Sequence, residues 1–525
     1  MSGGFLKSTS IVGAFTLLSR VTGLLRDMVY SRMFGAGVLM DAFLVAFKIP
    51  NFMRRLFAEG AFSQAFVPVV SEYKVRRPQD EVRELIDGAA GTLAWFLTVV
   101  TIVGVIAAPL LVLIFAPCFR ADEGKFDLTV EMLRWTFPYI LFISLAALAA
   151  GVLNSYGRFA VPALTSTLMN LVMIVFAAWI APSFDRPGIV LAIGVFVAGI
   201  VQLAFQLPFV VKMGLLRRPR WRWGDEGVRK IGRLMLPAIF GSSVSQVAVL
   251  LDTLIASFLA TGSIAWLYYA DRLMEFPLGV FSIALATVIL PGLAAQHAAQ
   301  APERFAATLD WALRLVVIVV LPATLALVVL AGPLTVTIFH YGKFDEHDVR
   351  MSSLALTAYA SALLAFSMVK VLAPGYFARQ DTRTPVRIGI RSLAVSMGLN
   401  VLVVLPLAFI YPGQPGLHAL LALNTGIGAW YNSTMLYRGL RRQGVLQHAS
   451  GWRRMLWQVA AGNLLMVAFL WWVAGDTQRW IEMGAWSRAQ WMTLLVVGGA
   501  GIYFGTMYLL GMRVHELRVR PTGPS

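Results

Sequence analysis

Long apolar blocks recur along the chain, bounded by proline, glycine and clusters of charge. A membrane-spanning helix needs about 20 apolar residues at 1.5 Å rise each. The blocks predict about fourteen such helices. Their centres fall near Leu18, Val45, Val100, Leu145, Met173, Val197, Val247, Phe281, Val320, Leu363, Val401, Leu423, Met466 and Val497. The blocks lack the two-residue alternation of a lipid-facing strand. Hydrocarbon offers no water to unpaired backbone groups, so the pattern predicts an all-α polytopic membrane protein.

Composition agrees. Of 525 residues, 58% are hydrophobic and 14% charged, against about 25% charged in a soluble domain. A soluble enzyme, a disordered regulator and a nucleic-acid-binding domain are excluded. Cys118 is the single cysteine, so no intramolecular disulfide or cysteine-based metal site forms. The six histidines lack paired-ligand spacing. Near the start, Lys7 precedes an apolar run that Arg20 interrupts, with no small-residue cleavage pattern after it. An uncleaved first helix is expected.

The charge is lopsided, 44 Lys+Arg against 27 Asp+Glu, a net +17. Basic residues concentrate in alternate loops: Lys74, Arg76, Arg77 and Arg83; Arg158; Lys212 with Arg217, Arg218, Arg220, Arg222, Arg229 and Lys230; Arg304; Arg379, Arg383 and Arg387; Arg438, Arg441, Arg442, Arg453 and Arg454. The tail adds Arg513, Arg518 and Arg520. The other loops carry few, so the basic loops and both termini are expected in the cytoplasm. Segments Asp122–Asp127 and Asp345–Asp348 are expected on the outer side. Arg217–Arg222, interleaved with Trp221 and followed by Trp223, suits anionic lipid head groups.

Two similarities recur about six spans apart. Arg54–Pro68 (RRLFAEGAFSQAFVP) is like Arg272–Pro291 (RLMEFPLGVFSIALATVILP), and Gly151–Pro162 (GVLNSYGRFAVP) is like Gly375–Pro385 (GYFARQDTRTP). Parallel repeats of this kind predict two pseudo-symmetric six-helix lobes around a central cavity. The expected boundaries are 1–215 and 216–450, with two additional helices and a tail in 451–525.

Charge inside a span costs about 2.5–3.5 kcal/mol on insertion scales, so it usually faces a cavity or a partner. The first span carries Arg20, Arg26 and Asp27; Arg20 and Asp27 share a face. In the second, Asp41, Lys48 and Arg55 form a seven-residue stripe beside Arg54. The eighth carries Asp271, Arg272 and Glu275, spaced for contact along one helix. Lys370 ends the tenth, and with Arg54 and Arg55 also suits snorkelling to an interface. Arg20, Arg26, Arg54 and Arg272 against Asp41 and Glu275 leave a net positive chamber. Guanidinium forks match phosphate oxygens, so an anionic, phosphorylated ligand is implied. Asp252 has no basic residue within a turn of sequence and is a candidate sodium or proton site, or an acid packed against another helix. Asp381 reads as a helix-start residue, with a co-ligand role as the alternative.

Ser19–Asp27 (SRVTGLLRD), Phe34–Val69 (FGAGVLMDAFLVAFKIPNFMRRLFAEGAFSQAFVPV), Tyr268–Val280 (YYADRLMEFPLGV) and Lys370–Val386 (KVLAPGYFARQDTRTPV) resemble the MurJ (MviN) family. These are bacterial lipid II flippases of the multidrug/oligosaccharidyl-lipid/polysaccharide exporter superfamily. The resemblance runs from about residue 5 to about residue 512 and implies fourteen helices in two lobes. It implies movement of undecaprenyl-diphosphate-linked muropeptide across the inner membrane, from the cytoplasmic to the periplasmic leaflet, by alternating access. Arg20, Arg26, Arg54 and Arg272 match the family's cavity arginines, and Asp41 and Glu275 its acids. Ser19, Arg55 and Lys370 are further cavity candidates. The last two helices match those forming a groove for the polyprenyl tail, and Asp252 matches an acid near the sodium site of some members. Ala265 stands where relatives often carry serine. Lipid II and membrane lipids are the expected partners, with cell-wall synthesis proteins as further candidates and no nucleic acid. No catalytic group and no cofactor is expected, and the drive would come from membrane potential, sodium or protons. The alternatives are a cation-coupled exporter of drugs or other lipid-linked oligosaccharides with this fold, and a non-transporting cell-wall scaffold. The first would want an acidic or aromatic cavity; the second needs no charge in five spans.

Overall fold

The computed structural model describes residues 2–55, 62–122, 124–216, 218–279 and 283–512. Arg217, Arg513, Arg518, Arg520 and the expected span centre Phe281 lie outside them. Among the described residues there is no strand, and every other expected centre falls in a helical segment. Among the described residues, nine helical segments are long and apolar enough to cross a membrane. This is a multi-pass, all-α membrane protein.

The chain divides into two compact units, Met1–Ala265 and Trp266–Ser525. The first holds α1 (Ser2–Phe34), α2 (Val38–Arg54), α3 (Ser63–Arg76), α4 (Gln79–Ile106), α5 (Ala108–Phe115), α6 (Lys125–Thr136), α7 (Tyr139–Ser155), α8 (Ala160–Val175), α9 (Pro187–Lys212) and α10 (Glu226–Ala256). Helix α11 (Ser263–Pro277) carries the boundary. The second holds α12 (Ile283–Ala298), α13 (Pro302–Val329), α14 (Ala331–Phe339), α15 (Glu346–Ala360), α16 (Leu363–Phe377), α17 (Arg383–Leu399), α18 (Leu405–Ile410), α19 (Leu417–Arg442), α20 (Trp452–Ala474), α21 (Thr477–Glu482) and α22 (Ala485–Leu509).

The repeat seen in sequence has a backbone counterpart. Helix α8 runs into a π-turn at Phe176–Ile180, and α17 into one at Asn400–Val404. Each helix follows a turn with one left-handed residue, Gly157 (φ 74°) before α8 and Gln380 (φ 61°) before α17. Glycine takes this conformation without steric cost; glutamine does not. Asp381, next in the second turn, accepts the Thr384 N–H at 3.0 Å. The Thr384 side chain, and then this main-chain bond, hold its carboxyl below the usual range. The helix-start reading of Asp381 fits this geometry.

In the first unit α7 packs on α9, α1 on α8, and α2 on α6. Gly104 of α4 admits the Phe137 ring, where a Cβ would overlap it. Such small residues let helices approach where lipid supplies no hydrophobic drive for association.

In the second unit a polar knot sets where α20 begins. Asp310 of α13 is 3% exposed. Its carboxylate accepts from Arg314 Nε (2.9 Å), Trp452 Nε1 (2.7 Å) and His448 Nδ1 (3.1 Å). Arg314 also donates to the Ala449 and Ser450 carbonyls, both at 2.9 Å. One buried acid thus fixes the linker between α19 and α20 to α13. Asp310→Ala leaves these donors without their acceptor. We expect it to lower stability by about 1–3 kcal/mol, measured by SDS titration of the micelle-bound protein; an unchanged midpoint would remove the knot's structural role.

Candidate functional site

Helix α1 presents two arginines in different states. Arg26 is buried, and its Nε and Nη2 donate to the adjacent Asp27 Oδ1 at 3.0 and 2.8 Å. Its Nη1 donates to Asn170 Oδ1 of α8 at 3.0 Å, and the guanidinium lies over the Tyr30 ring. Asn170 donates in turn to the Ser19 carbonyl (3.0 Å) and Thr22 Oγ1 (3.2 Å). Asn170 therefore sets both the rotamer of Arg26 and the seating of α1 on α8. Its amide is neutral and lies in an otherwise apolar run, so no charge pattern marks it in the sequence. Arg20, one to two turns earlier, is half-buried, and its guanidinium has no hydrogen bond or ion pair among the described residues. Ser19 is half-buried beside it.

The second-span stripe lies along α10. Lys48 Nζ donates to Thr253 Oγ1 at 3.1 Å, and Arg55 Nη1 to Gln246 Oε1 at 3.3 Å. Position 48 on α2 and 55 at its C-cap, like 253 and 246 on α10, are seven apart, so the two helices run antiparallel with matched polar positions. Arg54 is half-buried and bonds Asn51 Oδ1 at 2.9 Å through Nε. Asp252 is half-buried next to Thr253 on this seam. Among the described residues no three His, Cys, Asp or Glu side chains are grouped to hold a metal ion.

Asp41, the first member of the stripe, is 1% exposed. Its carboxylate accepts the backbone N–H groups of Gly262 (2.7 Å) and Ala265 (3.0 Å) and pairs with Lys125 Nζ at 3.2 Å. Lys125 also donates to Thr261 Oγ1 (3.2 Å), lies 3.5 Å from Asp122, and stands over the Phe119 ring. This places Asp41 in a closed knot joining α2, α6 and the segment leading into α11. The absence of serine at Ala265 costs nothing in this contact, because the main chain makes it. Nothing in the residue pattern singles out Lys125, which opens α6 in a segment expected to be an outer loop. A cation at a helix N-terminus opposes the macrodipole, and here the buried carboxylate offsets that.

In the second unit Arg272 Nη1 donates to Glu275 Oε2 at 3.0 Å, and Nη2 to the Tyr268 hydroxyl at 3.4 Å. This is the spacing expected along one helical face. Glu275 is exposed and Arg272 half-buried. Lys370 is exposed at the middle of α16, which continues to Phe377, so it does not end its span as the sequence pattern suggested. The other expected outer segment also contributes a buried group: Asp348 accepts from Trp266 Nε1 at 2.8 Å. An apolar groove of about 580 Å³ lies between α13 and α20, lined by Leu321, Leu325, Leu464, Val467, Ala468 and Trp471 among others.

A family model described as lipid II flippase MurJ matches residues 30–486. The chain is 46% identical over 530 residues to a probable lipid II flippase MurJ of Vibrio cholerae serotype O1, covering 99% of this chain and 98% of that protein. It is 41% identical to a lipid II flippase MurJ of Burkholderia cenocepacia, covering 97% and 98%. Among solved structures it is similar to a lipid II flippase MurJ in an inward closed conformation, with TM-score 0.79, 22% identity and coverage of 95% and 98%. It is also similar to an inward-facing multidrug resistance MATE family transporter of the MOP superfamily, with TM-score 0.64, 14% identity and coverage of 83% and 98%. At these identities the two structures speak for the fold alone.

Lys125→Met leaves the buried Asp41 carboxyl with only its two amide donors. Breaking a buried pair from one side costs about 3–5 kcal/mol, and we expect a loss of that order in SDS titration. The double variant Asp41→Asn/Lys125→Met removes both charges and is expected to recover part of it. A double variant as unstable as the sum of the two single variants would contradict direct coupling.

Proposed function

The chain belongs to the lipid II flippase MurJ family, and on that premise we propose that it carries lipid II across the bacterial inner membrane. The undecaprenyl-diphosphate-linked muropeptide moves from the cytoplasmic to the periplasmic leaflet by alternating access, and both termini lie in the cytoplasm. The likeness to lipid II flippases over nearly the whole chain carries this reading. Arginines on the helices expected to bear the site add chemical support.

Arg20, Arg54 and Arg272 are the head-group contacts. Each offers a planar fork of donors suited to diphosphate oxygens, with a charge that proton loss does not remove. Glu275 orients Arg272 and accepts from sugar or peptide donors. Ser19, Arg55 and Lys370 extend the polar surface. Arg26 and Asp41 act one step back: Asp27 and Asn170 hold the first, and Lys125 with two main-chain amides hold the second. The apolar groove between α13 and α20 takes part of the polyprenyl tail. Cell-wall synthesis proteins are natural partners, since they consume the product at the outer face.

The drive follows from charge. Moving an anionic head group outward from a negative interior is favoured by about 2.3 kcal/mol per charge per 100 mV. Asp252 adds a route for sodium or proton coupling, as a half-buried carboxylate next in sequence to Thr253, which Lys48 bonds.

Arg20→Ala and Arg272→Ala are expected to abolish complementation of a strain depleted of its own flippase. Lipid II should then accumulate in the cytoplasmic leaflet while membrane levels of the protein stay normal. A normal leaflet distribution of lipid II in both variants would sink the assignment. Asp252→Asn is expected to slow transport and to remove its response to a sodium or proton gradient. Full transport with an unchanged ion response would remove Asp252 from coupling.

A further inference from the structure

The segment between α9 and α10 is bound along α4. Arg83 Nε donates to the Gly214 carbonyl at 2.7 Å, the Arg220 N–H to the Asp87 carbonyl at 3.1 Å, and the Arg222 N–H to Thr92 Oγ1 at 3.2 Å. Gly91 of α4 lets the Arg220 backbone lie flush on the helix, where a Cβ would overlap it. Residues 220–222 therefore lie against α4 as a built part of the first unit.

This strap combines two features. Arg222 pairs with Glu84 at 2.8 Å and Arg83 with Asp80 at 2.9 Å. The exposed guanidinium groups of Arg218 and Arg220 have no partner among the described residues, and both line a cleft of about 790 Å³ whose walls also carry Arg83, Arg222 and the acids Asp80, Glu84 and Asp87. Beside them Trp221 and Trp223 are each 51% exposed. The Trp221 ring meets that of Trp95 edge-on at 4.4 Å. Trp95 belongs to α4, one of the helices apolar enough to span a bilayer. Indole rings favour the level of lipid head groups, and basic side chains there attract anionic lipid.

We propose that this strap is a binding site for an anionic phospholipid. Arg218 and Arg220 take the phosphate, and Trp221 and Trp223 lie among the glycerol and upper acyl groups. The exposed indoles next to a spanning helix favour a lipid, since a soluble phosphate would not require them. The site is separate from the residues assigned to head-group transport, so it stands or falls independently of them.

The test uses the full-length protein in neutral detergent, with native mass spectrometry to count retained lipids. Dioleoylphosphatidylglycerol should be retained in preference to dioleoylphosphatidylcholine. Arg218→Ala/Arg220→Ala should retain one phosphatidylglycerol fewer and bind it about tenfold or more weakly, as expected for two basic groups lost from a lipid phosphate. Arg218→Lys/Arg220→Lys should keep most of the binding. Unchanged retention in the double alanine variant, or displacement of the lipid by equimolar inorganic phosphate, overturns the proposal. If the alanine variant unfolds more readily without lipid, salt decides: wild-type retention unaffected by high sodium chloride also overturns it.

Discussion

A carboxylate closed off from water cannot stay charged without donors, and Asp41 organises the first unit around that requirement. Its donors come from three places in the chain: Lys125 at the start of α6, and the amides of Gly262 and Ala265 before and within α11. With that end of α2 fixed, the seven-residue spacing carries Lys48 onto Thr253 and Arg55 onto Gln246. One buried acid thus sets the register of a helix whose other polar residues are proposed to meet substrate. The main-chain amides do not depend on side-chain identity, which is why alanine serves at position 265.

The arginines fall into two groups by their surroundings. Arg26 and Arg314 are bonded to buried or nearly buried acids and to neighbouring polar groups. Arg488 is buried and donates to the Trp480, Ile481 and His340 carbonyls, tying α22 to α21 and to the end of α14. These groups hold helices together in a solvent that cannot hydrate them. Arg20 is different, because its guanidinium keeps its donors uncommitted among the described residues. The distinction matters for a carrier. A site that binds and releases an anion needs cations whose partners are exchangeable, mounted on a frame whose own charges are not. In the second unit the Asp310 knot supplies the frame by anchoring the start of α20, one wall of the apolar groove.

Much of this was legible in the residues. Apolar blocks gave the helices, because the thickness of hydrocarbon sets their length. The pairing of Arg272 with Glu275 followed from helical geometry alone. So did the common face of Lys48 and Arg55, and the two repeated turns reappear as matched left-handed residues. The partners were not legible. Asn170 is neutral and sits in an otherwise apolar run, and Lys125 looked like an outer-loop residue among acids. The contact that gives each its role crosses 144 residues from Arg26 to Asn170 and 84 from Asp41 to Lys125.

The order of residues was enough to define an all-α membrane protein of the flippase family and the helices that carry charge. Local periodicity and the cost of exposing backbone to lipid suffice for that. Only the tertiary structure decided which charges are consumed in holding helices and which remain open to a ligand. Burial and pairing are properties of neighbours brought together by folding, and helical spacing can place a side chain on a face without saying what meets it there.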